Sequence, residues 1–165
     1  MVILHQITPT LSTSYKTVRL RALKDTPSAF GSTYARESQF SEADWRTRAA
    51  NLCTPHSIGY LAYHQGEYCG IAAGFLDKEV PQNAELVSMW VASTHRRTGT
   101  GKLLVDAIES WARLSAAHTL RLMVTNTNLA AISFYERLGF TATGRTEPYP
   151  NDPNLIEYEM SKSIL

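Results

Sequence analysis

Between residues 84 and 114 the chain switches period within a few residues. Ala84 to Val91 alternates as a strand does, with Glu85, Val87, Met89 and Val91 on one side and Ala84, Leu86, Ser88 and Trp90 on the other. Further on, Leu103, Leu104, Ala107, Ile108, Trp111 and Leu114 fall on one stripe of a helix. Between the two lies Arg96-Arg97-Thr98-Gly99-Thr100-Gly101. A strand that feeds a strong helix through a glycine turn commits the chain to a sheet with helices packed on it.

The flanking sequence fits that commitment. Val2 to Ile7 reads as a first strand, and Thr8-Pro9 as the start of a helix whose stripe is Leu11, Tyr15, Val18, Leu20 and Leu23. Pro27 breaks that helix. Residues 28 to 51 form a second, mostly helical stretch, in which Ser41-Glu-Ala-Asp44 resembles a capping box. Ile58 to Tyr63 and Tyr68 to Phe75 are rich in aromatic and β-branched residues and are joined by a Gln65-Gly66-Glu67 turn. Leu120 to Val124 is a short strand, and Asn128 to Leu138 an amphipathic helix with Gly139 as its C′ residue. Phe140 to Arg145 and Leu155 to Met160 close the chain as strands around a stiff loop containing Pro148, Pro150 and Pro153.

The glycine loop has the chemistry of an anion site. Glycines let backbone N–H groups come close to an anion, and the first turn of a helix has unpaired donors and partial positive charge. Arg96, Arg97 and Lys102 add cations. Two nucleotide motifs fail. A phosphate loop of the form G-x-x-x-x-G-K-[ST] would need glycine where Arg96 stands and Ser or Thr where Leu103 stands. A dinucleotide G-x-G-x-x-G would need glycine at Leu104. A glycine turn that only caps a helix is the bland alternative for the loop taken alone.

The 165 residues are enough for one domain, 1–165, with its own core, and a formal charge of +1 gives no reason to expect a nucleic-acid or anionic-membrane partner. Two cysteines, Cys53 and Cys69, make no disulfide framework. No apolar run reaches the ~20 residues of a membrane span, so the chain reads as soluble and cytoplasmic. His5, His56, His64, His95 and His118 show no metal-ligand spacing, and a surface turn is the simplest place for His95.

Three segments together resemble one family. Arg96-x-x-Gly99-x-Gly101 is similar to the acetyl-CoA signature of the GNAT N-acetyltransferases. Ala84 to Val91 resembles the strand before it, and Asn128-Leu-Ala-Ala-Ile-Ser-Phe-Tyr-Glu-Arg-Leu-Gly-Phe140 resembles the closing segment. The resemblance implies an α/β, single-domain GNAT-like fold. Its mixed, mostly antiparallel seven-stranded sheet would be flanked by four or so helices, with a splayed parallel strand pair at the cofactor site.

It also implies acetyl-CoA as cofactor and a small-molecule or peptide amine as acceptor. The backbone from Thr98 to Lys102 would hold the pyrophosphate, with Arg96 and Arg97 beside it. Met89, Trp90 and Val91 would offer backbone groups to the pantetheine arm. Asn128 would bond that arm or the next helix turn. Tyr135 would stand near the sulfur and protonate the leaving thiolate, and Glu85 would be the base for the amine. Tyr135 as a core aromatic and Glu85 as an ion-paired strand residue are the plain alternatives. Tyr34, Glu37 and Glu42 are further candidates for the acceptor site, though surface helix charges are the simpler reading of each. A non-catalytic acyl-CoA-binding or sensing module on the same fold is the alternative function. Homodimers occur among relatives, and nothing in the residues decides the point.

Overall fold

The structure, a computed structural model, describes residues 1–165. Strands are β1 (Ile3–Gln6), β2 (Cys53–Thr54), β3 (Ser57–His64), β4 (Glu67–Leu76), β5 (Asn83–Val91), β6 (Thr119–Thr125), β7 (Thr141–Pro148) and β8 (Ile156–Ser163). Helices are α1 (Ser12–Asp25), α2 (Tyr34–Glu37), α3 (Glu42–Asn51), α4 (Thr100–Leu114) and α5 (Leu129–Arg137). Seven strands run in the order β1-β3-β4-β5-β6-β8-β7, and the two-residue β2 pairs with β3 off that path. The expected seven-stranded sheet is therefore present, with one short strand added. The expected helical stretch from 28 to 51 holds two α-helices, because Ser38 to Ser41 separate α2 from α3.

Local chemistry explains the boundaries. Ser41 accepts from the Asp44 N–H and Asp44 accepts from the Ser41 N–H, so the capping box starts α3 with two orphan donors satisfied. The β3–β4 turn is Gln65-Gly66, with φ of 49° and 87°, the left-handed pair that suits the twist of a two-residue hairpin.

Helices cover both faces of the sheet. α4 lies on the face that carries Gly70 and Gly74 of β4. A Cβ on Gly70 would lie 3.1 Å from Leu104, and one on Gly74 2.9 Å from Ile108. The buried apolar residues of α4 are Leu104, Val105, Ile108 and Ala112, while Leu103 and Leu114 are exposed. The expected stripe is thus rotated, since the two glycines admit side chains at positions 104 and 108 most closely. α1 and α3 lie on the opposite face, joined by Tyr15 and the fully buried Trp45, whose rings meet edge-on at 5.5 Å.

Two features of β5 prepare the site. It pairs in parallel with β6 only from Asn83 to Glu85, while β6 remains paired to β8 along its whole length. Beyond Glu85 the two parallel strands part. In addition, Ile71 pairs with Trp90 but Ala73 pairs with Val87, so β5 holds one extra residue. Ser88, with φ of 58°, lies within this bulge. The even alternation expected along Ala84–Val91 therefore breaks there. Glu85, Val87 and Trp90 share the α1 face, and Ala84, Leu86 and Val91 the α4 face.

Candidate active site

The glycine loop leads from β5 into α4. Arg97 and Gly99 both have positive φ, 62° and 90°, which turns successive N–H groups inward. No backbone or side-chain acceptor in the protein takes the N–H groups of Arg97, Thr98, Gly99, Thr100, Gly101 or Lys102. Six consecutive free donors at the start of a 15-residue helix form an anion cradle. The Thr98 hydroxyl bonds the His95 carbonyl and lies 2.9 Å from the Thr100 hydroxyl, which fixes the loop from inside. Gly101 is needed for a different reason from Gly99. A Cβ at Gly101 would lie 3.0 Å from the Phe134 ring, so α5 closes directly over the loop.

The cations divide. The Arg97 side chain is exposed and makes no bond within the protein, so it remains available to an anion. Lys102 pairs with Asp106 at 2.6 Å on the surface. Arg96 is committed elsewhere: its Nε donates to the Val91 carbonyl at 2.9 Å and its Nη2 to Asp25 at 2.7 Å. Asp25 also accepts from Trp90 Nε1 at 3.0 Å. The Trp90 bond, then those from Thr26 and Arg96, holds the Asp25 carboxyl below the ordinary range despite some desolvation. Arg96 and Asp25 thus clamp the end of β5 to the end of α1. The carbonyl of Val91 and the Asp25 carboxylate take two of its donors, and its Nη1 makes no bond within the protein.

Met89, Trp90 and Val91 follow the bulge along the edge that β6 leaves unpaired. The Trp90 ring is buried toward α1, with the Arg21 guanidinium 5.2 Å above it, so only the backbone of Trp90 is open to that gap. Asn128 is the N-cap of α5 and its Oδ1 accepts from the Ala131 N–H at 3.3 Å. Of the two partners expected for it, the helix turn is the one observed.

Tyr135 packs between Phe134 and Phe140, with ring centroids 5.2 and 5.7 Å away. The residue is 7% exposed, yet its hydroxyl makes no hydrogen bond in the protein. Nor is that oxygen among the unpaired side-chain atoms sealed from solvent, which are Ser32 Oγ, Trp45 Nε1 and Arg121 Nε. It is thus a core aromatic with an open polar tip. Burial raises its pKa above the ordinary tyrosine value, so the hydroxyl stays protonated.

Glu85 is the last residue of the parallel pairing. Its carboxylate meets Arg121 at 2.7 Å, and Arg121 also holds Asp77 at 2.9 Å. Burial raises the Glu85 pKa, and the Arg121 charge and bond oppose this only in part. Of the other acceptor-site candidates, Tyr34 is exposed beside Lys24 and Glu42 forms a surface pair with Lys16 at 2.8 Å. Glu37 is not a surface charge: it is 1% exposed, between Arg19 and Arg48. His95 bonds Thr94 and His64 at 2.8 and 2.9 Å rather than facing the cradle. No group of three or more His, Cys, Asp or Glu side chains could hold a metal, and no helix is long and apolar enough to cross a membrane.

Sequence reasoning missed Asp25, Arg19 and the special place of Ser88. Each acts through a partner more than 60 residues away, as in Trp90–Asp25 and Arg19–Ser88, and no local spacing announces such pairs.

Strand splay, bulge, cradle and covering helix define a class: an acyl-coenzyme-A-binding α/β domain. The match to the acetyltransferase (GNAT) family covers residues 20–140, and the chain belongs to that family. It is 30% identical over 106 residues to N-acetyltransferase family 8 member 2 of Rattus norvegicus, covering 62% of this chain and 47% of that one. The chain thus spans about half the length of that relative. A GNAT acetyltransferase from Streptococcus pneumoniae shares the fold along both whole chains, with a TM-score of 0.82 at 21% identity. YncA of Salmonella typhimurium, solved with its cofactor acetyl-CoA, matches all of this chain and 95% of its own, with a TM-score of 0.80 at 15% identity. Acetyl-CoA is accordingly the cofactor of this family fold, and the six free donors with Arg97 beside them suit its pyrophosphate.

Proposed function

We propose that the protein transfers an acetyl group directly from acetyl-CoA to a primary amine, with the 96–102 loop and the β5 edge as the cofactor seat. The row of free N–H groups from Arg97 to Lys102, opening into a gap between parted parallel strands, carries this reading. When bound, acetyl-CoA supplies an activated thioester and a thiol leaving group whose pKa as a free thiol is near ~8.5. The rest of the work falls to the chain. The cradle and Arg97 bind the pyrophosphate, and the backbone from Met89 to Val91 aligns the pantetheine arm as an added strand would. A β5 N–H faces the charge that develops on the carbonyl oxygen. Tyr135, protonated and unpartnered, would give its hydroxyl proton to the leaving thiolate and regain one through water as Glu85 releases its own.

Glu85 takes the proton that the amine must lose. Three residues of strand, about 10 Å, separate it from the bulge, so that proton travels through water. Its raised pKa makes it a stronger proton acceptor than an ordinary carboxylate, and its Arg121 pair favours return to the carboxylate afterwards. Holding both reactants in line contributes several kcal/mol, with ~7–11 the upper range.

The test of the cofactor seat is thermal. Acetyl-CoA at 100 times its dissociation constant should raise stability by about 2.7 kcal/mol. No shift at millimolar acetyl-CoA would overturn both the transferase reading and the alternative of a non-catalytic sensing module.

A further inference from the structure

A second concavity lies on the α1 face, away from the cradle. It has a volume of about 340 Å³ and is lined by Arg19, Ser32, Arg36, Glu37, Phe40 and Arg48. Ligand pockets start at roughly 300 Å³, so this is room for a small molecule. Its charge is unbalanced, with three guanidinium groups around one carboxylate.

That carboxylate is already saturated. Arg19 Nε and Nη2 reach Glu37 at 2.9 and 3.0 Å, and Arg48 Nη1 reaches it at 2.7 Å. Burial alone would raise the Glu37 pKa, but the bonds and charge of Arg19, then the Ser32 hydroxyl and the Arg48 charge, bring it down to about 2. Donors are left over. The Arg36 guanidinium makes no hydrogen bond or ion pair, and its one aromatic neighbour is Phe40 at 6.0 Å. Arg48 uses a single nitrogen on Glu37. The buried Ser32 hydroxyl is directed at Glu37, so it belongs to the saturated carboxylate. A surplus of guanidinium donors suits a carboxylate, which they can grip in a bidentate manner.

The concavity also adjoins the proposed transfer site. Arg19 spans from Glu37 to the Ser88 hydroxyl, which it meets at 3.2 Å, and Ser88 lies in the β5 bulge beside the open edge. One guanidinium thus separates the surplus donors from the gap.

The geometry points to this cluster as a carboxylate seat for the acceptor, formed by Arg36 and the spare donors of Arg48, so that the acceptor is an amine that also carries a carboxylate, an amino acid. The inference rests on the amine-acetylation reading above. A polyamine or a polycationic antibiotic would place its remaining positive charges against three guanidinium groups around one carboxylate, the unpaired Arg36 among them, which is repulsive at close range.

The test is a calorimetric titration of the coenzyme-A-loaded protein with a panel of L-amino acids, each paired with its own α-amide, and with spermidine. The expected result is that the preferred amino acid binds about tenfold or more tightly than its amide. Arg36→Ala should bring the two within about twofold, and Arg36→Glu should reverse the preference in favour of spermidine. Arg36 is exposed and its side chain holds nothing in the fold, so both variants should remain folded. Equal affinity for acid and amide, tighter binding of spermidine, no binding of any amino acid, or a preference that survives Arg36→Ala would each overturn the seat.

Coenzyme A release with the same pairs separates this inference from the one beneath it. Amides and spermidine turned over as fast as the acids would remove the seat and leave acetyl transfer standing. A carboxylate preference in binding with no release would remove acetyl transfer and leave the seat.

Discussion

Tyr135→Phe removes one oxygen and keeps the ring. The ring makes the packing contacts, with Phe134 and Phe140, and these survive. The oxygen bonds nothing in the protein, so no internal hydrogen bond is lost. Stability should therefore change by no more than about 0.5 kcal/mol, or roughly 2 °C in Tm for a chain of this size. The rate should behave otherwise. Loss of a positioned proton donor slows turnover by ~10²-fold or more, equal to about 2.7 kcal/mol of barrier. The assay is coenzyme A release at pH 7 under saturating acetyl-CoA and amine, with Tm and the acetyl-CoA dissociation constant measured on the same sample. A rate within about twofold of wild type would take Tyr135 out of the mechanism. A slow variant with a Tm lowered by many degrees would show a structural residue instead.

Three further outcomes follow from the geometry. Gly99→Ala meets no neighbour within 4 Å but forces a side chain onto φ of 90°, so the free protein should lose about 1–2 kcal/mol, or roughly 2–8 °C in Tm; an unchanged Tm would contradict the left-handed turn. Glu37 favours the folded state while ionised, so the stability it contributes is present above its ordinary pKa of 4.5 and is lost as pH falls toward about 2. Acid titration should show a loss of about 3 kcal/mol in that window, and Glu37→Gln, which leaves Arg19 and Arg48 unpaired, should cost about 3–5 kcal/mol at pH 7 and flatten the window. If Glu85 accepts the proton, the rate rises with pH through its raised pKa, and Glu85→Gln removes that limb; a limb that stays in place assigns the step to water alone.

Much of this arrangement is legible in residues that act locally. Gly99 and Gly101 mark the cradle because a left-handed turn and a close helix approach both demand glycine. Ser41 and Asp44 mark a helix start, and Gln65-Gly66 marks a hairpin, since each satisfies its own backbone within a few residues. The rest depends on pairs distant in sequence. Ser88 is an ordinary strand residue by composition, and its bulge appears only when β5 is laid against β4. The same bulge turns Trp90 toward α1, where Asp25 receives it and also pairs with Arg96, a link that no local spacing shows. Glu37 reads as a helix surface charge until α1 and α3 bring Arg19 and Arg48 around it.

Cofactor binding and chemistry are separable claims, and one measurement joins them. Coenzyme A release is followed with acetyl-CoA and a panel of amines, with the acetylated amine quantified by mass spectrometry in the same reactions. The account predicts amine-dependent release, one acetylated amine for each coenzyme A, abolished or slowed ~10²-fold in Tyr135→Phe. Tight binding of acetyl-CoA with release no faster than hydrolysis, whatever the amine, would contradict it and leave a domain that binds the cofactor without using it.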